Sequence, residues 1–255
     1  MDHIEYPRAV SHSKSDIIKN EKGFRVEIQL SLQKNNTLTP LSFSFDKMIN
    51  AGFTGRDQKE VKHHLDELSA KGIDVPDETP VLYPVIPSTL TINNEIDVYG
   101  DETAGEIEYV LFVKDKTCIY VGIGSDHTDR NLEEHDIPRA KQITPNMISP
   151  VVWDLNDVAD HWDDLSMECT VQKEGKVQLY QKGGLNLLMS PDELMELISK
   201  KVNGPLENMV IFSGTVKMET KDFVFAEIFS GLLVDPTLNR SIGFDYKINP
   251  LDYMD

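Results

Sequence analysis

The stretch GEIEYVLFVKDKTCIYVGIGSDHTDR, Gly105 to Arg130, constrains the fold more than any other. Its apolar runs YVLFV and CIYVGIG flank the polar turn KDKT. Apolar runs bounded by turn chemistry predict a hairpin of two buried strands. Yet Glu106 and Glu108 open the first strand, and Asp126 closes the second. Residues two apart in a strand project to one face, so Glu106 and Glu108 point together. A regular hairpin register returns Asp126 to the same end. Adjacent carboxylates repel unless one is protonated or a cation lies between them. Three oxygen ligands of this kind suit Mg²⁺ or Mn²⁺. The alternative is that E-x-E is simply the solvated face of a strand.

The flanking sequence predicts more strands than helices. FRVEIQLSLQ, Phe24 to Gln33, alternates apolar and polar residues, as does LSFSF, Leu41 to Phe45. Asp57 to Lys71 predicts a helix with Val61, Leu65 and Leu68 on one face and Gly72 as its stop. The proline-rich IDVPDETPVLYPVIPSTLT predicts an extended surface run and sets the expected boundary between residues 1–80, N-terminal strands and a lid helix, and a main domain over 81–255. Beyond it, Ile96 to Tyr99, VQLYQKGG, MVIFSGT, FVFAEIFSG and SIGFDYKI predict strands. Helices are expected near Asn131–Ala140 and Asn156–His161, with HWDD, His161 to Asp164, as a surface loop. In SPDELMELISKKV, Ser190 and Glu193 form a capping box at the start of an amphipathic helix. The fold class is therefore α+β and mainly β.

Composition excludes several functions. A net charge of −18 over 255 residues repels phosphate backbones and argues against nucleic-acid binding. No apolar run approaches the length of a membrane span. The two cysteines imply no disulfide framework and favour a reducing compartment. MDHIEYPRAV has no signal-peptide core, so a cytoplasmic protein is expected.

Five segments in order carry a resemblance to the fumarylacetoacetate hydrolase superfamily. GEIEYVLFV is similar to its E-x-E-L-A-x-V strand, and SDHTDRNLEEH to its N-D-V-[ST]-A-R-D-x-Q segment. FSGT resembles the T-G-T-P turn, FVFAEIFSGLLVDPTLNRSI the closing strands, and PVLYPVIPSTLT the P-x-x-F-x-K-x-P-S-S-L segment. The GSDHTDR string is similar to a DUF2848-type branch. The resemblance implies a mixed β-roll with a smaller N-terminal part. It implies Mg²⁺ or Mn²⁺ on Glu106, Glu108 and Asp126, and Lys141 as a catalytic lysine. Arg130 and Thr215 become substrate-binding candidates; His127, beside Asp126, is new to the family pattern and a further candidate for substrate contact. The implied activity is metal-dependent hydrolysis, or lyase chemistry such as decarboxylation, of a small 2-oxo or β-diketo acid, often in a homodimer.

Departures from the family pattern lie in the lid. Asp57 stands where the family has His, and Glu60 where it has Glu. Glu60 is expected to act as base with Asp57 orienting it, and His63 and His64 lie one turn further on. Glu133 replaces the family's Gln. The lost His leaves a second reading open, a non-catalytic small-molecule binding module that retains the fold.

Overall fold

The computed structural model describes residues 16–20, 23–35, 37–70 and 75–253. The hairpin forms as Ile107–Val113 and Ile119–Ser125, paired without a slip from Val113–Ile119 to Ile107–Ser125. All seven residues of Ile107–Val113 are buried. A strand covered on both faces must be apolar at every position, which explains the unbroken YVLFV run.

This hairpin is the middle of an eleven-stranded sheet that curls into a half-barrel. Val151–Asp154 joins it on one side and is followed by Gly23–Lys34, with Asp16–Asn20 and Thr37–Phe45 pairing beyond. On the other side come Met209–Thr215, Lys47–Gly52 and Val81–Val85. Asn146–Ile148 pairs with the end of Ile119–Ser125 and with Leu90–Thr91. The sheet thus takes strands from both sides of the boundary expected at residue 80. A second sheet runs Lys176–Gly184, Ser166–Lys173, Ile228–Asp235, Arg240–Pro250, Glu95–Val98.

Two cores follow from the two faces of the hairpin. Tyr109, Leu111, Val121 and Ile123 pack with Met167, Phe229, Leu233 and Tyr246 of the second sheet. Val110 and Phe112 pack on the opposite face with Phe212, Val152, Phe43 and Phe45. Gly124 faces this second core. A Cβ there would lie 2.5 Å from the Met147 carbonyl and 2.8 Å from the Phe212 ring, so glycine permits the close approach.

Several local expectations need correction. The proline-rich segment is extended, but Tyr83, Val85 and Leu90 are buried, and Val81–Val85 is a sheet edge. An edge strand tolerates Pro84, because its outer side makes no ladder bonds. The helix expected over Asn131–Ala140 is two helices, Arg130–Glu133 and Ile137–Ile143. Pro138 cannot sit in a helix interior, so a new helix begins, capped by Asp136. The strand expected from Phe223 begins at Ile228. Gln58–Ala70 is a helix, while Lys71 and Gly72, and the side chains of His64 and Leu68, lie outside the described residues. Pro191–Lys201 has the full capping box. Both cysteines are free. No described helix is long and apolar enough to cross a membrane.

HWDD is not a plain surface loop. Trp162 is 6% exposed, and His161 Nε2 lies 3.0 Å from Asp235 Oδ1. Asp235, fully buried, also accepts from the Leu238 N–H and from Arg240 Nε, each at 3.0 Å. Arg240 stacks 4.5 Å from the Trp153 ring centre. Burial alone would raise the Asp235 carboxyl, but these hydrogen bonds outweigh it and hold the carboxyl below its usual range. Its contribution is therefore present above the unfolded carboxyl value and is lost as pH falls through the folded one. We predict that Asp235→Ala costs about 3 kcal/mol or more in urea unfolding at neutral pH, because it strands a buried guanidinium. The difference from wild type should shrink on acidification.

Candidate metal centre

The hairpin register continues past the regular strands. The Glu106 N–H donates to the Asp126 carbonyl at 3.1 Å, and the Asp126 N–H to the Glu106 carbonyl at 3.0 Å. Glu106 and Asp126 are therefore directly opposed, which puts their side chains on one face. Glu108, two residues on, shares that face. One carboxylate oxygen from each lies within 4.8 Å of the others. Glu108 is 2% and Asp126 1% exposed, so the E-x-E pair is not a solvated strand face.

Burial, with Asp126 and Glu106 close by, pushes the Glu108 carboxyl well above its usual range. One fixed dipole opposes this: the Gly214 N–H donates to Glu108 Oε2 at 2.8 Å. Gly214 has φ +87°, and a Cβ there would meet Thr54 Oγ1 at 2.4 Å and the Ala51 carbonyl at 3.0 Å. Only glycine delivers this N–H.

Two buried cations face the carboxylates. Lys141 Nζ is 2.5 Å from Asp126 Oδ2 and 3.9 Å from Glu133 Oε1. Burial alone would lower Lys141, but Asp126, Glu106 and Glu133 together raise it, so it remains an ammonium at neutral pH. Arg130 donates to Glu133 at 2.7 Å and to the Ala104 carbonyl at 3.0 Å, and lies 3.4 Å from Glu106 Oε2. It orients Glu106 and Glu133 from behind. Four carboxylates, Glu106, Glu108, Asp126 and Glu133, thus meet two side-chain cations. The all-oxygen donor set and the excess negative charge both fit a hard divalent ion.

The other candidate residues are placed differently. His127 is fully buried, with Nδ1 2.9 Å from the Tyr246 hydroxyl and Nε2 2.9 Å from the Thr103 hydroxyl. Burial, and Arg130 nearby, push its pKa down to about 3, so it is neutral and both ring nitrogens are already engaged. The Thr215 hydroxyl donates to the Ile107 carbonyl at 2.8 Å and accepts from Gln181 Nε2 at 2.7 Å. Gln181 Oε1 in turn accepts from the Ile107 N–H at 2.9 Å, so Thr215 and Gln181 brace the start of the ligand strand. Asp57 Oδ1 accepts from the backbone N–H groups of Lys59 and Glu60 at 2.9 and 3.2 Å, the role of a helix N-cap. Asp57 and Glu60 line an open depression of about 650 Å³ with Asn186 and Leu187, and no residue of the triad lines it.

Tyr83, Gln181 and Gly214 were not singled out from sequence. Only Gly214 left a signal there, a glycine inside a strand-like run. The ring of Tyr83 sits 5.7 Å from Lys141 Nζ, a contact between an edge strand and the helix Ile137–Ile143 that no local pattern encodes.

Removing one of three mutually repelling carboxylates relieves repulsion and weakens the ligand set at once. We predict that Glu108→Gln raises the melting temperature of chelator-treated protein. It should also lower Mn²⁺ affinity at least about tenfold in isothermal titration, since even outer-sphere substitutions cost that much. Equal Mn²⁺ affinity in wild type and in Glu106→Ala/Glu108→Ala would remove the triad as a cation site.

A family model described as "Protein of unknown function (DUF2848)" matches residues 51–246. No curated protein matches the chain. Several solved structures share the fold. A 2-keto-3-deoxy-D-arabinonate dehydratase complexed with magnesium and 2,5-dioxopentanoate is 12% identical, over 93% of this chain and 95% of that one, with a TM-score of 0.60. A 5-carboxymethyl-2-hydroxymuconate delta-isomerase from Mycobacterium smegmatis is 17% identical, over 94% and 99%, with a TM-score of 0.57. A yeast protein of the fumarylacetoacetate hydrolase family is 19% identical, over 80% and 93%, with a TM-score of 0.53. With its family model matched over residues 51–246, the chain belongs to the DUF2848 family and has a fumarylacetoacetate hydrolase-like fold.

Proposed function

We propose that the protein is a Mg²⁺- or Mn²⁺-dependent enzyme that acts on a small 2-oxo or β-diketo acid, with hydrolysis favoured over decarboxylation or other lyase chemistry. The observation that carries this is the convergence of Glu106, Glu108 and Asp126 in a buried site facing Lys141. A cation on those carboxylates would supply Lewis-acid polarisation of the substrate's keto and carboxylate oxygens. Fold relatives bound to magnesium and a dioxo acid, or acting as an isomerase, support the same substrate chemistry.

The chain's own residues divide the remaining work. Lys141 is held as an ammonium, so it serves as a hydrogen-bond donor and counter-charge to a developing oxyanion, not as a base. Arg130 fixes Glu106 and Glu133. Base work falls to Glu60 rather than Asp57, whose carboxylate caps the helix. Glu60 would reach the ligand when the segment from Gly52 through the helix covers the site. The protein is further proposed to be cytoplasmic and a homodimer; a monomer mass by light scattering at micromolar concentration would remove the dimer.

A binding module remains the second reading, because the depression lined by Asp57 and Glu60 shares no residue with the triad. A screen of oxaloacetate, acylpyruvates and sugar-derived 2-oxo acids with Mg²⁺ or Mn²⁺ separates the two. The enzyme turns one over; the module shows only ligand-induced thermal stabilisation. We expect Lys141→Ala to lower kcat about a hundredfold or more, as for loss of one oxyanion donor. Glu60→Gln should lower kcat about a hundredfold while leaving Mn²⁺ affinity within about twofold. Unchanged turnover in Glu60→Gln would remove it as the base.

A further inference from the structure

The sheet face that carries the carboxylates also carries two asparagines whose hydrogen bonding is incomplete. Glu108 and Val110 share that face. Val110 is opposite Phe212, Phe212 is beside Asn50, and Asn50 is opposite Tyr83. On the other side, Ser125 pairs with Met147, so the next step sets Asn146 opposite Asp126. The two paths meet where Asn50 Nδ2 donates to Asn146 Oδ1 at 2.8 Å. Tyr83, partner of Asn50, lies 5.7 Å from Lys141 Nζ, which itself binds Asp126. The amide pair therefore borders the triad.

Asn50 is 1% and Asn146 0% exposed. The remaining amide atoms, Asn50 Oδ1 and Asn146 Nδ2, are buried without a partner. Turning both amides over changes nothing: one acceptor and one donor are still left. Buried polar groups are seldom left unmade, and a leucine pair of similar shape would avoid the penalty. The pair thus leaves one acceptor and one donor buried and unmade beside the triad. A carboxylate offers no donor and an alkyl chain offers neither; a hydroxyl offers both.

We propose that Asn50 and Asn146 form a specificity subsite beside the carboxylate triad, and that its ligand group is a hydroxyl on the carbon chain of a 2-oxo acid. The assignment rests on the 2-oxo acid reading of the triad. A buried water is the competing occupant, and a substrate hydroxyl would take its place.

Isothermal titration in Mn²⁺ tests this with oxalate, 2-oxobutanoate, 2-oxopentanoate, 4-hydroxy-2-oxobutanoate and 5-hydroxy-2-oxopentanoate. At least one hydroxylated acid should bind about tenfold or more tightly than its deoxy counterpart, because a site built for a hydroxyl rejects the analogue lacking it. In Asn50→Leu/Asn146→Leu the preference should vanish while oxalate still binds. If that variant does not fold, Asn50→Ser and Asn146→Ser carry the same comparison. Equal binding of hydroxylated and deoxy acids by wild type would mean that the amide pair meets no substrate hydroxyl, and would overturn the subsite. So would a preference that persists in the variants. Failure of wild type to bind oxalate would strike the 2-oxo acid reading itself, and the subsite with it; wild type that binds oxalate but shows no preference for a hydroxylated acid strikes the asparagines alone.

Discussion

The reciprocal hydrogen bonds between Glu106 and Asp126 set everything at this site. They carry the hairpin register one pair beyond its apolar strands, to the point where the sequence turns from core residues to carboxylates. A slip of one residue would turn Glu106 and Glu108 to the opposite face, where the second sheet packs. The long apolar pairing of Ile107–Val113 with Ile119–Ser125 makes such a slip costly. The core thus secures a charged cluster that would otherwise push itself apart.

What the cluster needs is compensation, and it comes from three other elements. Gly214 supplies an N–H from the neighbouring strand, Lys141 an ammonium from the helix Ile137–Ile143, and Arg130 a guanidinium from the helix Arg130–Glu133 that follows the hairpin. Thr215 from the neighbouring strand and Gln181 from the second sheet hold the backbone of Ile107. His127, next to Asp126, is a buried neutral ring tied to Thr103 and Tyr246. These groups are positioned by folding, so a cation would meet ligands already gathered on one face.

The amide pair of Asn50 and Asn146 extends the same logic to uncharged groups. Its unpaired donor and acceptor lie on the ligand face, next to strands whose other positions are apolar. Groups of that kind discriminate by what they leave unsatisfied when the wrong ligand enters. In the proposed arrangement the triad would hold the reacting end of the ligand, and the asparagines the chain behind it.

Much of this was written in local pattern. The apolar runs around KDKT predict the hairpin, the two-residue spacing puts Glu106 and Glu108 together, and the Ser190–Glu193 capping box predicts its helix, because each depends on neighbours in sequence. The resemblance also pointed to Arg130 and Lys141. What local pattern lacks is the partner across the sheet. It could not tell that Thr215 is braced by Gln181, that both nitrogens of His127 are engaged, or that the proline-rich segment becomes a sheet edge. Nor could it bring Asn50 to Asn146, which are 96 residues apart. Sequence by itself determined which residues share a face. Only the tertiary structure decided which faces meet, because strand order and register between distant segments depend on packing of the whole core.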